Sequence, residues 1–419
     1  MILPYEFIRR IMGRIELYKD KSDCCGCEAC VNICKRNAIK MQEDEYGFLY
    51  PQIDSSLCVE CGQCKKVCSY QNENTEFTEP LLAEAATVTD RELCLKSASG
   101  GIFAALAKKI LQEGGRVYGC AFTYKAGVLY PEHVCVQSEN DLVRLQGSKY
   151  VQSRMGNIYK NVKKDLNEGR LVLFSGTPCQ ISALNSYLKN QEKNNLFTVD
   201  IICHGTPSAQ LFDDYLKQIE KNINGKIVDF KFRDKSGGWG LKGAIIYKDK
   251  RNQLRKKLLP VQLSSYYTLF LDSETYRENC YSCKYAGKKR TGDITLGDYW
   301  GVEDEHPEIL AENGGRLDKT LGISCVLINT KKGQQLLDCL EEKIERVPSS
   351  YEKIAKRNNQ LKCPSSHSDV RDTIFELYKQ EGYSAVDQWY FKHIGIKRYV
   401  YKLWNFIPRK AQILIKKII

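Results

Sequence analysis

The stretch Cys24-Cys25-Gly26-Cys27-Glu28-Ala29-Cys30-Val31-Asn32-Ile33-Cys34 returns, with the same cysteine spacing, as Cys58-Val59-Glu60-Cys61-Gly62-Gln63-Cys64-Lys65-Lys66-Val67-Cys68. A Cys-x2-Cys-x2-Cys loop curls so that three thiolates reach three iron corners of one cubic cluster. A fourth cysteine three residues further on sits too far round to close that cube and ligates the partner cluster. The spacing therefore predicts one 4Fe–4S site from Cys24, Cys27, Cys30 and Cys68, and a second from Cys58, Cys61, Cys64 and Cys34. A single run would be compatible with zinc or chance. Two identical runs 34 residues apart point to electron transfer.

Working outward, this cysteine unit takes only residues 1–72 of 419, as a small α+β ferredoxin-like domain, and leaves ample chain for a large core. The composition, 42% hydrophobic and 27% charged, is that of a soluble globular protein. No apolar run approaches the roughly 18 residues of a membrane span, and Met1 to Lys21 does not read as a signal peptide. An odd count of nineteen cysteines without an export signal fits reduced thiols in a cytoplasm. The net charge of +12 suggests nucleic acid at first sight. Its distribution argues against that partner, because Ser384 to Ile419 carries eight Lys or Arg and one acid, Asp387.

Gln71 to Pro80 is acidic and polar and reads as a linker. From Ala83 strand-like and helix-like segments alternate. Ser97-Ala98-Ser99-Gly100-Gly101 precedes a helix in which Phe103, Leu106 and Ile110 recur at helical spacing, with Gly114-Gly115 as its stop. Val117–Phe122, Leu171–Phe174, Phe197–Ile202, Lys226–Arg233, Ala244–Lys248 and Ile323–Ile328 read as strands, and Lys332 to Glu345 as a helix. This alternation predicts an α/β body with a mixed, largely parallel sheet.

Four further cysteines stand out: Cys179 and Cys203, each just past a strand, and the hook Cys280-x2-Cys283. Carboxyl ends of strands line the crevice where open α/β sheets bind ligands, so these four thiols are candidates for a third 4Fe–4S site. Small buried residues, or zinc at the hook with two more ligands, are the alternatives. Ser99-Gly100-Gly101 at a helix start offers N–H groups to a phosphate, and Gly147-Ser148-Lys149-Tyr150 adds a hydroxyl and a cation. Plain helix capping is the competing reading. A literal G-x-G-x-x-G at Gly238, Gly240 and Gly243 is not a dinucleotide fingerprint, because a strand follows it where a helix is required. Cysteines 25, 94, 120, 135, 325, 339 and 363 read as structural.

Together, Ser99-Gly100-Gly101-Ile102-Phe103, Gly147-Ser148-Lys149-Tyr150, Gly176-Thr177-Pro178-Cys179-Gln180 and Cys203-His204-Gly205 resemble the beta subunit of deazaflavin-coenzyme-reducing hydrogenases and formate dehydrogenases. The resemblance continues through Arg233, Gly238-Trp239, the Cys280-x2-Cys283 hook, Arg290, Gly292-Asp293-Ile294 and Gly297-Asp298-Tyr299-Trp300-Gly301. It implies an N-terminal body half at 83–215, a C-terminal half at 216–350, and FAD in the body. It also supports the third cluster at Cys179, Cys203, Cys280 and Cys283. The flavin-binding residues implied are Ser99, Gly100, Gly101, Gly147, Ser148, Lys149, Tyr150 and Thr177. Lys149 is a candidate for contact with the flavin or its phosphates, and Asp298 a candidate proton donor. A solvated lysine and a turn-forming carboxylate are the alternatives.

Two departures from the pattern are visible. The cysteine unit is fused to the body here, whereas the hydrogenase beta subunit proper lacks it. Lys35 and Ser69 stand where bacterial ferredoxins usually carry proline. The function expected is an FAD- and 4Fe–4S-dependent oxidoreductase that takes electrons from a ferredoxin-type donor or partner oxidoreductase to a small organic substrate. A relay subunit without substrate specificity is the alternative. The helical, basic, aromatic-rich tail expected at 351–419 leaves three readings open: peripheral contact with the inner membrane surface, helices packed on the body, or a dock for an acidic carrier protein. Pro408 should break any helix running through it.

Overall fold

The computed structural model describes residues 15–72 and 76–406. In the N-terminal unit a hairpin of β1 (Ile39–Glu43) and β2 (Leu49–Ile53) stands between short helices Ala29–Ile33 and Gln63–Lys66, which follow the two cysteine loops and pack together. Asp44 fixes the hairpin turn by accepting from the backbone N–H of Tyr46 and Phe48. The turn sends Phe48 and Tyr50 into the core of the body.

The body is built on eight strands: β3 (Leu82–Val88), β4 (Arg116–Lys125), β5 (Val128–Val136), β6 (Val172–Gly176), β7 (Leu196–Ile201), β11 (Ile294–Asp298), β12 (Ser324–Ile328) and β13 (Ile344–Ser349). Their order is β13-β3-β12-β11-β7-β6-β4-β5. The parallel pairings, β4 with β6, β6 with β7 and β7 with β11, form the centre, and antiparallel pairs flank it. Alternation along the central strands serves two cores. Val117, Leu173 and Val199 face the helices Ile102–Gln112 and Lys331–Asp338. Tyr118, Val172 and Phe174 face Ile158–Asn167 and Pro178–Tyr187. The parallel centre therefore points its carboxyl ends at Thr177, Ile202 and Tyr299.

A second sheet, β10-β9-β8, comprises β8 (Lys226–Lys231), β9 (Lys242–Lys248) and β10 (Leu254–Pro260). It packs with helices Ala209–Ile223 and Ser265–Leu271 in an aromatic core. Gly243 lies inside β9, which bears out the rejection of the dinucleotide reading.

The structure corrects one expectation and adds detail to two. The helix expected to reach Glu345 stops at Asp338, and Ile344–Ser349 pairs antiparallel with β3 instead. The long-range pairing with β3 takes this segment out of the helix, and Pro348 within it is tolerated because β13 forms a sheet edge. The end of the linker is not free, because Thr78 and Arg290 exchange backbone hydrogen bonds of 2.9 and 2.8 Å. In the tail, helices Asp369–Glu381 and Tyr383–Ile394 bury Phe375, Tyr378, Val386 and Tyr390 in the aromatic core. Full burial of one such side chain contributes about 1.5–3 kcal/mol. This part of the tail is packed helix. The next helix, Lys397–Phe406, exposes Tyr399, Val400 and Leu403, and Pro408 lies outside the described residues. Among the described residues no helix is long and apolar enough to cross a membrane.

Candidate functional site

The two cysteine loops curl by the same device. Gly26 and Glu28 have positive φ in the first, and Glu60 and Gly62 take the same positions in the second. These left-handed residues curl the chain tightly within each loop. Burial pushes the Cys30 thiol well up, and the neighbouring Cys27, Cys24, Cys68 and Cys64 push it further, which places the expected first ligand set in one neighbourhood. Cys64 is raised by burial and then by Cys58 and Cys61. Cys61 is exposed, with Leu57, Val59, Lys65 and Lys66 exposed beside it.

The first loop is docked onto the body by polar contacts. Glu28 accepts from the backbone N–H of Met155 at 2.8 Å and of Gly156 at 3.1 Å. Gln152 Nε2 donates to the Cys25 carbonyl at 3.2 Å, and Arg277 Nε to the Cys24 carbonyl at 2.8 Å.

At the carboxyl end of β6, Thr177 caps the helix Pro178–Tyr187 in a reciprocal box with Gln180. This sets Cys179 in the first turn, where backbone N–H groups and Thr177 Oγ1, 3.1 Å from its Sγ, favour a thiolate. Its pKa falls to about 7, through the hydrogen bond from Cys25 first and against the opposing effect of burial. Past β7, Gly205 carries the chain over the ring of Tyr276, where a Cβ would stand 2.2 Å from a ring carbon. The hook is tied to this turn. Arg277 N–H donates to the Thr206 carbonyl at 3.0 Å, and Cys280 N–H to the Arg277 carbonyl at 2.9 Å.

Cys179, Cys203, Cys280 and Cys283 thus line one cavity, together with Cys25, Tyr285 and Arg290. Burial pushes the Cys203 thiol well up, and Cys280, Cys179 and Cys283 add to it. Among the described residues no carboxylate lines the chamber, and Arg290 stands at its wall. Four mutually repelling thiols beside a cation suit a cluster that binds thiolates and carries negative charge. Among the described residues no three His, Cys, Asp or Glu side chains converge as a single metal ion requires.

Beside this chamber lies a larger cavity of ≈ 550 Å³, within the range of cofactor pockets. Ser99, Gly101, Gly147, Ser148, Lys149, Tyr150 and Thr177 line it, as does Asp298. Gly101, with φ 86°, caps the helix Ile102–Gln112 and aims its N-terminus at this space. Gly100 stands in the wall behind. Its N–H donates to Ser324 Oγ at 3.0 Å, and a Cβ there would meet the Ala86 carbonyl at 2.4 Å. Cys25, Cys179 and Cys203 border both cavities, so the two are continuous.

Lys149 is half-buried and spends its ammonium on its own loop, donating to the carbonyls of Arg144, Gln146 and Gly147 at 3.0, 2.8 and 3.2 Å. Burial holds its pKa down to about 8. Asp298 pairs with Arg233 at 2.5 Å and accepts from Trp239 Nε1 at 3.3 Å. The Arg233 guanidinium stacks on both Trp239 and Trp300 and donates to the Tyr150 hydroxyl at 3.3 Å.

These placements meet comparisons with known families. A family model described as "Coenzyme F420 hydrogenase/dehydrogenase, beta subunit N-term" matches residues 83–160, and its counterpart for the C terminus of the same beta subunit matches 169–350. The chain belongs to the coenzyme F420 hydrogenase/dehydrogenase beta-subunit family. A "4Fe-4S dicluster domain" model matches 23–72, ahead of the region shared with that family. This beta-subunit-type protein is therefore an iron–sulfur, electron-transferring member of an oxidoreductase-subunit family. Among solved structures, a chain of the F420-reducing NiFe hydrogenase complex from Methanosarcina barkeri matches at 18% identity with a TM-score of 0.43. The match covers 71% of this chain and 92% of that one. No curated protein matches it.

Sequence reasoning left two residues of the family member's site unassigned. Cys25, out of phase with the ligand spacing and read as structural, reaches both Cys179 and Cys27, and those contacts push its pKa well up. Arg277 carried no motif at all. The doubled Cys24-Cys25 was the one available signal for the former, and its partner Cys179 is supplied by the fold.

Proposed function

We propose that the chain is an iron–sulfur flavoprotein oxidoreductase passing electrons from a ferredoxin-type donor to a small organic substrate. In this reading three 4Fe–4S centres lead to FAD in the ≈ 550 Å³ cavity. The observation that carries it is continuity. Cys25 touches Cys27 of the first N-terminal ligand set and Cys179 of the inner set, and Cys179 and Cys203 border the large cavity. Electrons enter at the surface beside Cys61, where exposed Lys65 and Lys66 suit an acidic carrier.

FAD, when bound, supplies the step from single electrons to a two-electron hydride equivalent. The chain's own residues hold and shield it. The N-terminus of helix Ile102–Gln112 and Ser99 would hold its phosphates, and Lys149 at the same wall would supply a cation. Cys179, Cys203, Cys280 and Cys283 hold the inner centre. Asp298, paired with Arg233, orients that guanidinium against the Trp239–Trp300 pair, of which Trp300 lines the pocket. We assign it this positioning part in preference to proton donation.

The test is an anaerobic mixing experiment on the holoprotein with a reduced ferredoxin-type donor. Cluster reduction followed by bleaching of the flavin band supports the proposal. Reduced clusters with no flavin response, even after incubation with FAD, would leave a relay. The "beta subunit" of the family description favours that second reading, which requires turnover only when a partner oxidoreductase is present.

A further inference from the structure

Arg277 is one of the largest fully buried side chains, 0% exposed, yet no carboxylate among the described residues pairs with it. Its Nη2 is buried without a hydrogen-bond partner. A buried charge in that condition is costly unless other negative groups offset it. What surrounds it is sulfur and aromatic rings. Nε donates to the Cys24 carbonyl at 2.8 Å, and Nη1 to Gln152 Oε1 at 3.4 Å. The guanidinium carbon lies 3.9 Å from the Tyr50 ring centroid. A Cβ on Gly26, between Cys25 and Cys27, would stand 3.2 Å from that same carbon. Meanwhile its backbone carbonyl accepts from Cys280 N–H of the hook. One residue therefore touches the first cysteine loop with its side chain and the inner ligand set with its backbone.

We propose that the Arg277 guanidinium is the shared counter-charge of the two neighbouring centres, the one held by Cys24, Cys27, Cys30 and Cys68 and the inner one, and keeps both easier to reduce. The proposal rests on the three-centre reading above. Each reduction adds one negative charge to a centre. A cation fixed nearby in a dry, low-dielectric site stabilises that added charge far more than one in water would. Because it serves both sides of the Cys25 junction, Arg277 lowers both stations together and leaves no large uphill step between them. The outer centre, held by Cys58, Cys61, Cys64 and Cys34, lies outside its contacts.

The test is a redox titration of anaerobically purified full-length protein, followed by electron paramagnetic resonance with iron content measured in parallel. In Arg277→Gln the oxidised-to-reduced ratio of the two flanking centres, read at their wild-type midpoints, should rise about tenfold, equivalent to 59 mV for one electron. The outer centre should not move, and Arg277→Lys, which keeps the charge, should shift the pair less. Unmoved potentials in an iron-replete Arg277→Gln protein, equal shifts of all three centres, or equal effects of Lys and Gln would each overturn the proposal. Should Arg277→Gln lose iron, Gln152→Glu sets a carboxylate against the guanidinium without removing it. The same downward shift supports the proposal there, and unmoved potentials overturn it. Wild-type protein with about eight irons would overturn the three-centre reading instead, while the centre at Cys24 would still test Arg277.

Discussion

Arg290 Nη2 donates to Asp200 Oδ1 at 2.9 Å, with both side chains all but sealed from water. Asp200 is the penultimate residue of β7, three before Cys203, and Arg290 follows the Cys280–Cys283 hook. The pair therefore clamps the segment that carries Cys203 to the one that carries Cys280 and Cys283. Asp200 also accepts from the backbone N–H of Thr291 and Gly292 at 3.2 and 2.9 Å, so its two oxygens carry the bend into β11. Removing one partner of such a pair leaves a buried charge uncompensated. Asp200→Ala is expected to cost about 3–5 kcal/mol in denaturant unfolding. It should also lower iron content, and a variant within 1 kcal/mol of wild type would show that the clamp bears little weight.

Gly205 is required by space as much as by conformation. Gly205→Ala drives a methyl into the Tyr276 ring, an overpacking expected to cost about 1–3 kcal/mol and to displace Cys203 from its neighbours. A thermal melt of the variant together with a Gly205→Ala/Tyr276→Leu double variant checks the cause. Partial recovery in the double variant identifies the ring as the obstacle.

Lys149 should matter to the flavin more than to the fold. Loss of one charge-assisted hydrogen bond to a phosphate, about 1.5–3 kcal/mol, predicts roughly ten- to hundred-fold weaker FAD binding in Lys149→Met, with iron content unchanged. Fluorescence titration of flavin-stripped protein measures this. Unchanged affinity would confine the lysine to bracing its own loop.

Acid should find His133. Burial holds its imidazole down at about 4, between Ser153 Oγ at 2.8 Å and the Ser175 carbonyl at 3.1 Å, on the wall of the large cavity. The unfolded chain takes up this proton below the ordinary 6.5, and the folded chain resists until about 4. Stability from this group is thus complete above pH 6.5 and is lost as pH falls towards 4, by roughly 3 kcal/mol in all. Unfolding measured across that window should be less steeply pH-dependent in His133→Gln than in wild type. Identical slopes would mean the imidazole is not the group responsible.

Legibility in the sequence followed how local each signal is. The iron–sulfur character of the N-terminal unit, which the dicluster-domain match to 23–72 bears out, was readable because its chemistry is written in spacings of two and three residues. The central strands were readable because Val172, Leu173 and Phe174 form a short apolar run bounded by turn residues. The end of helix Lys331–Asp338 was misplaced because pairing of Ile344 with Val88 is a long-range event that no local pattern announces. Cys25 and Arg277 escaped for the same reason. Each acquires its meaning from residues that only the fold brings to it. Asp298 was visible as a residue of the site, but its ion pair with Arg233 was not.

The central claim is that three cubic centres feed one flavin, and the most direct measurement is iron, acid-labile sulfide and flavin content of protein purified without oxygen. About twelve irons, twelve sulfides and one FAD per chain are predicted, four irons for each cysteine set. About eight irons with no flavin, even after reconstitution with FAD, would contradict the account and return Cys179, Cys203, Cys280 and Cys283 to a structural role.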